Sequence, residues 1–439
     1  MDNKQEKFQK LLMGVGTGGV KYTVQDYARL SMQDLITLYH MAATFQRNIK
    51  DAKKKLFYAN RVLFFENQII EKLWSLEKCY TLVVKDSGKL YTEALKKTED
   101  ILAFIFSEES IAKTATESRG VGAVKPVYKE IDHGQFPQFY LNLFTKGVTA
   151  ITIDIAQSTI VIPLWAVCSR LREDVVHEES RPAFHIWIKR EIYVIYSSLT
   201  KLPYVVCDPE TFDDQIYVYN TEKAAETAKL KLVEMGEPVY VECLRNRRFY
   251  QCFFHLYLMG VNAVCSEKDG TIQLTKLIPK PDASRLPEEQ RPILNPELTL
   301  TAVYMCQEER KPEADRKEED LSLMREELMT HLRESTLAVP ALPLQEGDDP
   351  KKVQFPVLTL TTGEKYCPVF TDLWTAKEYE NSRMKKASEE GTETTTLSYR
   401  YLKLGFDRVM QLLPQEIKGV IMNPSTIQLV LKRTKQEGK

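Results

Sequence analysis

The chain has 439 residues, enough for about three folding units at roughly 150 residues each. Hydrophobic residues make up 43% and charged residues 28%, which excludes wholesale disorder and fibrous repeats and leaves enough apolar side chain for packed cores. With 60 Lys and Arg against 61 Asp and Glu, a formal net charge of -1, no global field draws the chain to nucleic acid or to an anionic membrane; local patches stay open.

In chain order, residues 1–10 are polar and lack the apolar core of a secretory signal, and no run of about 18 uncharged apolar residues follows anywhere. A cytoplasmic protein is the expectation. Gly14-Val15-Gly16-Thr17-Gly18-Gly19 resembles a phosphate cradle, but no strand precedes it and Lys21 is not in a G-K-[ST] arrangement, so it reads as a linker. Ser31 with Asp34 opens a helix whose Leu35, Leu38, Ala42 and Phe45 share one face. The cluster Arg47, Lys50, Lys53, Lys54 and Lys55 is interrupted by Asp51 and followed by Phe57, Tyr58, Phe64 and Phe65 at helical spacing, the pattern of a solvated helix face.

From residue 63 onward the chain reads as helices alternating with short strands. A helix over 63–76 feeds a strand over 79–84, a helix over 184–199 feeds a strand over 203–207, and a helix over 321–332, opened by Glu318-Glu319-Asp320, feeds a strand over 337–340. Between the second and third of these, residues 279–320 are rich in proline and charge and read as a linker, with Leu298-Thr299-Leu300-Thr301-Ala302-Val303-Tyr304 as an edge strand of the preceding unit. Further loops are expected over 345–352 and 385–393.

An internal repeat organises these elements. The runs 101–106, 215–219 and 366–370 read as strands, each followed by a polar residue (Ser107, Asn220, Thr371) and a helix containing Ala112, Ala224 or Ala376. Then come a helix with aromatic residues, a glycine fitting a helix C-terminus (Gly147, Gly260, Gly419) and a strand. The glycines lie 41, 41 and 49 residues beyond the first strands, and a Thr-Ile pair (Thr159, Thr271, Thr426) follows 12, 11 and 7 residues later. Phe136, Phe139, Tyr140 and Leu143, and likewise Phe406, Val409, Met410 and Leu413, recur at i, i+3, i+4, i+7; Phe253, Phe254, Leu256 and Tyr257 are less regular. Helices covering a small mixed sheet, an α/β (α+β) layout, account for this order.

Phe355-Pro356-Val357-Leu358-Thr359-Leu360, then Pro368-Val369-Phe370-Thr371-Asp372, then Gly419-Val420-Ile421-Met422-Asn423-Pro424 resemble the N-terminal domain of the SseB ("enhanced serine sensitivity") family of bacteria. The match runs over about 321–433 and is weaker in the second unit, while the first is reached only through the repeat. Ser107 and Asn220 replace Thr371, and neither Asp154 nor Asn262 precedes a proline. The resemblance implies a small α/β binding module and no enzymatic reaction. The expected organisation is a helical extension (1–60), a divergent SseB-like unit (61–175), a second (184–280), the linker (281–320) and a third (321–433).

No catalytic signature stands out. Cys79, Cys168, Cys207, Cys243, Cys252, Cys265, Cys306 and Cys367 contain no C-x-x-C pair and read as reduced core residues. The six histidines lack metal-ligand spacing, Cys252 with His255 reads as a core pair, Asp213, Asp214 and Glu222 as turn and cap acids, and Arg245-Asn246-Arg247-Arg248 as a charged turn. No cofactor or metal is expected. The remaining candidates are polar strand ends, where flanking helices begin and backbone amides are free: Phe370, Thr371, Asp372, Asn423 and Pro424, which also serve as helix cap and turn. A non-enzymatic adaptor or scaffold for another protein is the leading expectation, with no nucleic-acid or membrane partner. A small-ligand sensor or enzyme at those strand ends is the alternative, and nucleic-acid binding comes third.

Overall fold

A computed structural model of the chain describes residues 3–14, 21–95, 98, 100–119, 125–155, 160–280, 286–287, 290–342, 353–389 and 399–433. Residues 15–19 of the glycine run and the loop 345–352 lie outside these, as do residues 390–393. Two compact units result, Met1–Arg190 with Asn246–Tyr250, and Glu191–Arg245 with Gln251–Lys439. The helices and mixed sheets make an α+β protein, and among the described residues no helix is long and apolar enough to cross a membrane.

The first unit opens with four helices, α1 (Asn3–Met13), α2 (Val24–Ala28), α3 (Met32–Asn48) and α4 (Ala52–Trp74). Ser31 Oγ accepts from the Asp34 amide at 3.1 Å and starts α3; Asp51 Oδ1 accepts from the Lys54 amide at 2.8 Å and starts α4. These caps satisfy amides that the first helical turn leaves unpaired. The 63–76 helix therefore begins earlier, at Ala52. Leu35, Leu38 and Ala42 are buried as their spacing requires, but Phe45 is 39% exposed.

Then follow β1 (Lys78–Val84), β2 (Thr92–Leu95), β3 (Asp100–Phe106), α5 (Glu109–Arg119), β4 (Pro126–Asp132), α6 (Phe136–Phe144), β5 (Ala150–Ile153), β6 (Ile160–Pro163), α7 (Leu164–Cys168) and α8 (Arg181–Trp187). The sheet order is β4-β1-β3-β5-β6, with β2 pairing the front half of β3. Only β3 and β5 run parallel. A parallel pair needs a crossover, and α5, β4 and α6 supply it. Ala112 and Ala115 of α5 let the helix approach Phe104 and Phe106 of the central strand. Trp74 packs edge-on against Tyr140 at 5.1 Å.

The second unit begins with β7 (Glu191–Ser197), β8 (Val206–Cys207), β9 (Asp214–Tyr219), α9 (Glu222–Glu234), β10 (Val239–Arg245), α10 (Phe249–Leu258), β11 (Ala263–Ser266), β12 (Gly270–Gln273) and α11 (Leu274–Leu277). Its order is β10-β7-β9-β11-β12, with β8 beside β9 and β9 parallel to β11. The helix expected over 184–199 is thus wrong beyond residue 187: Ile192, Val194 and Ile195 are β-branched, and their run forms β7. Cys207 and Cys243 are exposed, not core residues as expected, whereas Cys79, Cys168, Cys252, Cys306 and Cys367 are buried.

The segment 298–304 is not an edge strand. It lies in α12 (Pro296–Glu309), followed by α13 (Glu318–Glu334). Proline at the first turn suits a helix start. The Leu-Thr-Leu-Thr alternation imitates a strand because the helix is buried nearly all round, including Leu298, Thr299, Thr301, Ala302 and Val303; an enclosed helix has no polar face to advertise its period. Gln307 bonds both backbone groups of Val205, accepting from its amide at 3.2 Å and donating to its carbonyl at 3.1 Å. At the other end Asn295 Nδ2 donates to the carbonyls of Thr336 and Thr371. The expected linker is a strut between two sheets.

The third sheet comprises β13 (Thr336–Ala341), β14 (Leu358–Thr359), β15 (Lys365–Val369), α14 (Leu373–Glu389), β16 (Arg400–Gly405), α15 (Phe406–Leu412), β17 (Ile417–Met422) and β18 (Leu429–Lys432). β13 pairs β16, and β14-β15-β17-β18 form the rest. Reciprocal bonds between Ala338 and Phe370 at 2.9 and 3.0 Å bridge the two parts. The strand order is that of the other two sheets. Two anchors of the sequence repeat shift, however. Gly147 and Gly260 follow helices, with φ of 76° and 85°, but Gly419 lies inside β17. The strand expected from Thr426 begins only at Leu429, because residues 423–428 form a turn in which the Thr426 and Gln428 amides donate to the Asn423 carbonyl. Residues 385–389, expected in a loop, continue α14.

Candidate functional site

The predicted strand-end residues meet in one buried cluster. β15 and β17 are parallel neighbours, with Val369 opposite Met422, so the residues leaving both strands are adjacent. The Thr371 amide donates to Asn423 Oδ1 at 3.1 Å, and Asn423 Nδ2 donates to Thr371 Oγ1 at 2.9 Å. Asp372 caps α14 by accepting from the Thr375 amide at 2.7 Å and from its hydroxyl at 2.8 Å. Phe370 is a core residue beside Ala376 and Tyr379, and Pro424 is half-buried in the turn.

This cluster is a latch closing the two strand ends. Its first-sheet counterpart is Ser107 with Asp154, where the Ser107 amide donates to Asp154 Oδ1 at 2.7 Å and its hydroxyl to Oδ2 at 2.5 Å. Asp154 and Asn423 have φ of 48° and 47°, a region that Asn and Asp tolerate best among residues with a side chain. Burial pushes the Asp154 and Asp372 carboxyls above the usual range, against the pull of their hydrogen bonds. Replacing Asn423 by alanine is expected to cost about 2–3 kcal/mol, because the Thr371 amide loses its acceptor and the positive φ loses a suitable residue. Aspartate, which fills the equivalent place in the first sheet, should cost less; thermal unfolding of both variants checks the order.

Beside the latch lies a cavity of about 40 Å³ edged by His255, Asp372, Glu378 and Asn423, room for about one water molecule. His255 Nε2 is 3.2 Å from Glu378 Oε1, and Gln251 Nε2 reaches the same oxygen at 3.3 Å. Burial alone would raise the Glu378 carboxyl; the His255 bond and charge, with help from Trp374 and Gln251, bring it below its ordinary value. Among the described residues no group of His, Cys, Asp and Glu side chains is arranged to hold a metal ion.

The second sheet differs at this point. Asn220 and Glu267 occupy the latch positions, and no side-chain hydrogen bond joins them. Glu267 instead borders an open cleft of about 570 Å³ between β9 and α9. Strand periodicity puts Tyr217 and Tyr219 on one face and buries Ile216 and Val218 on the other. Above the tyrosines, α9 presents Ala224, Thr227 and Ala228, which recur at i, i+3, i+4 and are too small to fill the space. Lys223 and Lys231 stand exposed at the rim and make no ion pair among the described residues. Burial first, then the neighbouring Tyr217, Cys265 and Glu267, push the Tyr219 hydroxyl up to about 12, so it stays a donor at neutral pH. The sequence carries this signal in Tyr-Val-Tyr followed by an alanine-containing helix, but periodicity gives only the two elements and not the face between them.

No curated protein matches the chain. Among solved structures it is similar to Tic22 of Anabaena, described as protein transport (9% identity, 50% of this chain and 94% of that one, TM-score 0.15), and to Tic22 from Plasmodium falciparum (10% identity, 40% and 82%, TM-score 0.14). Residues 314–435 match the family model of the SseB protein N-terminal domain. The third sheet with its helices is therefore an SseB-family domain.

Proposed function

We infer that the chain is a protein-binding adaptor and that the Tyr217–Tyr219 cleft is where it takes hold of its partner. The observation carrying this reading is the cleft itself: an aromatic floor, a wall of small side chains and two exposed lysines at the rim. Aromatic rings supply large contact area at low entropic cost, and such residues dominate protein interfaces. The rim charge fits a short segment of another protein that presents an apolar side chain for the floor and a carboxylate for Lys223 or Lys231. The shared strand order of the three sheets supports reading the chain as tandem SseB-like modules, the middle one open where the others are latched.

Panning a random peptide library against the full chain is expected to enrich peptides with an apolar residue next to acidic ones. Lys231→Glu, an exposed change that leaves the core intact, should weaken such peptides about tenfold or more, as should Tyr219→Ala. Enriched peptides indifferent to Lys231→Glu, or no enrichment at all, would refute the reading.

A further inference from the structure

We propose that the tip of the α3–α4 hairpin is a docking element for an anionic membrane surface. α3 and α4 are joined by residues 49–51, and residues 50–57 are exposed without interruption. This short stretch, with the last turn of α3, carries Arg47, Lys50, Lys53, Lys54 and Lys55. None of the five makes an ion pair among the described residues. The single acid, Asp51, is engaged as the α4 cap. Packed among these cations are apolar side chains that the fold leaves uncovered: Leu56 is 64% exposed, Phe45 39% and Phe57 37%. Further along the same helix Phe65 and Ile69 are 0% exposed, so the helix has a core face and the tip lies beyond it.

Charge and shape together favour a bilayer over a nucleic acid. Four of the five cations are lysines, whose flexible stems lie along apolar surface while the ammonium stays at headgroup level. The aromatic rings are not free platforms for bases: Phe45 stacks on Tyr58 at 5.1 Å, and Phe57 meets Tyr58 edge-on at 5.2 Å. Leu56 has nothing to stack and gains only from entering hydrocarbon. A convex basic tip with aliphatic and aromatic residues is what an interfacial anchor needs.

The test is cosedimentation of the full chain with phosphatidylcholine vesicles, with and without phosphatidylserine. Binding is expected only to the anionic vesicles and is expected to fall with added salt. Substituting Lys50→Gln, Lys53→Gln, Lys54→Gln and Lys55→Gln together should lower partitioning by about a hundredfold or more, and Leu56→Ser with Phe57→Ser should also reduce it. Lys231→Glu, in the peptide cleft, should leave it unchanged, so this outcome is independent of the adaptor reading. Equal sedimentation with neutral and anionic vesicles overturns the proposal, as does full binding by the four-lysine variant. So does lysine-dependent binding to duplex DNA or RNA without binding to vesicles.

Discussion

Gly419→Ala is expected to destabilise the second unit by about 3–5 kcal/mol, among the largest effects of a single methyl group. Gly419 sits inside β17 opposite Lys432 of β18 with φ of 156°, and a Cβ there would lie 2.1 Å from the Leu431 carbonyl oxygen and 3.0 Å from the Leu431 carbonyl carbon. Both atoms are backbone in a paired strand and cannot step aside as a flexible side chain would. Accommodating the methyl group means parting β17 from β18. Gly363→Ala is the control: its φ is 81° but nothing lies within 4 Å of the added Cβ, so it should lose only about 1–2 kcal/mol. Urea unfolding of the two variants separates the causes, and equal losses would mean that backbone conformation, not the clash, sets the cost.

Lys311→Ala should cost a similar amount, and its cost should depend on pH. Lys311 Nζ is 2.8 Å from Glu237 and 2.8 Å from Glu308, with its side chain 5% exposed. Glu308 also accepts from the Lys317 amide at 2.7 Å. Burial would raise the Glu308 carboxyl, but the Lys311 bond, the Lys317 amide and both charges more than reverse it. Burial would likewise lower Lys311, and its two carboxylate partners more than reverse that.

The carboxylate thus contributes stability that is present above its unfolded pKa and fades as pH falls through the depressed folded value. The lysine contributes stability that is present below its unfolded pKa and fades as pH rises through the raised one. Removing the lysine strands the buried Glu308 carboxylate and the half-buried Glu237 one, a loss of about 3–5 kcal/mol near neutrality. The deficit should shrink toward about pH 4, where the carboxylates take up protons instead. A deficit that stays constant between these values would show that Lys311 matters for packing and not for charge.

The order of strands and helices was legible because burial imposes periods, two in strands and 3.6 in helices, on the residues that face a core. Phe136 to Leu143 and the runs at 101–106, 215–219 and 366–370 were placed correctly on that basis. What failed were elements without a solvent face. α12 is enclosed, so its composition reads as a strand, and β7 has no exposed residue, so the apolar run that resumes after Lys189-Arg190-Glu191 looks like α8 continued. Register was beyond reach for a different reason: alternation assigns faces but not offsets, so Gly419 aligned with Gly147 and Gly260 in sequence while sitting inside a strand. The cluster of Thr371, Asp372 and Asn423 was visible as polar residues at strand ends. That they bond to each other depends on which strands are neighbours, a long-range fact.

The strut formed by α12 bears on how the family-matched segment can be handled in isolation. A fragment starting at residue 314 would omit Asn295, which tethers the Thr336 and Thr371 carbonyls, and would uncover whatever Leu298, Val303 and Met305 had been shielding. Excision at that boundary is expected to give sticky, poorly behaved material, whereas a cut that retains Pro296–Glu309 but lacks residues 191–280 leaves the helix itself stripped on its other side. The smallest piece containing the SseB segment that keeps α12 covered on both sides is thus the whole stretch from β7 to β18.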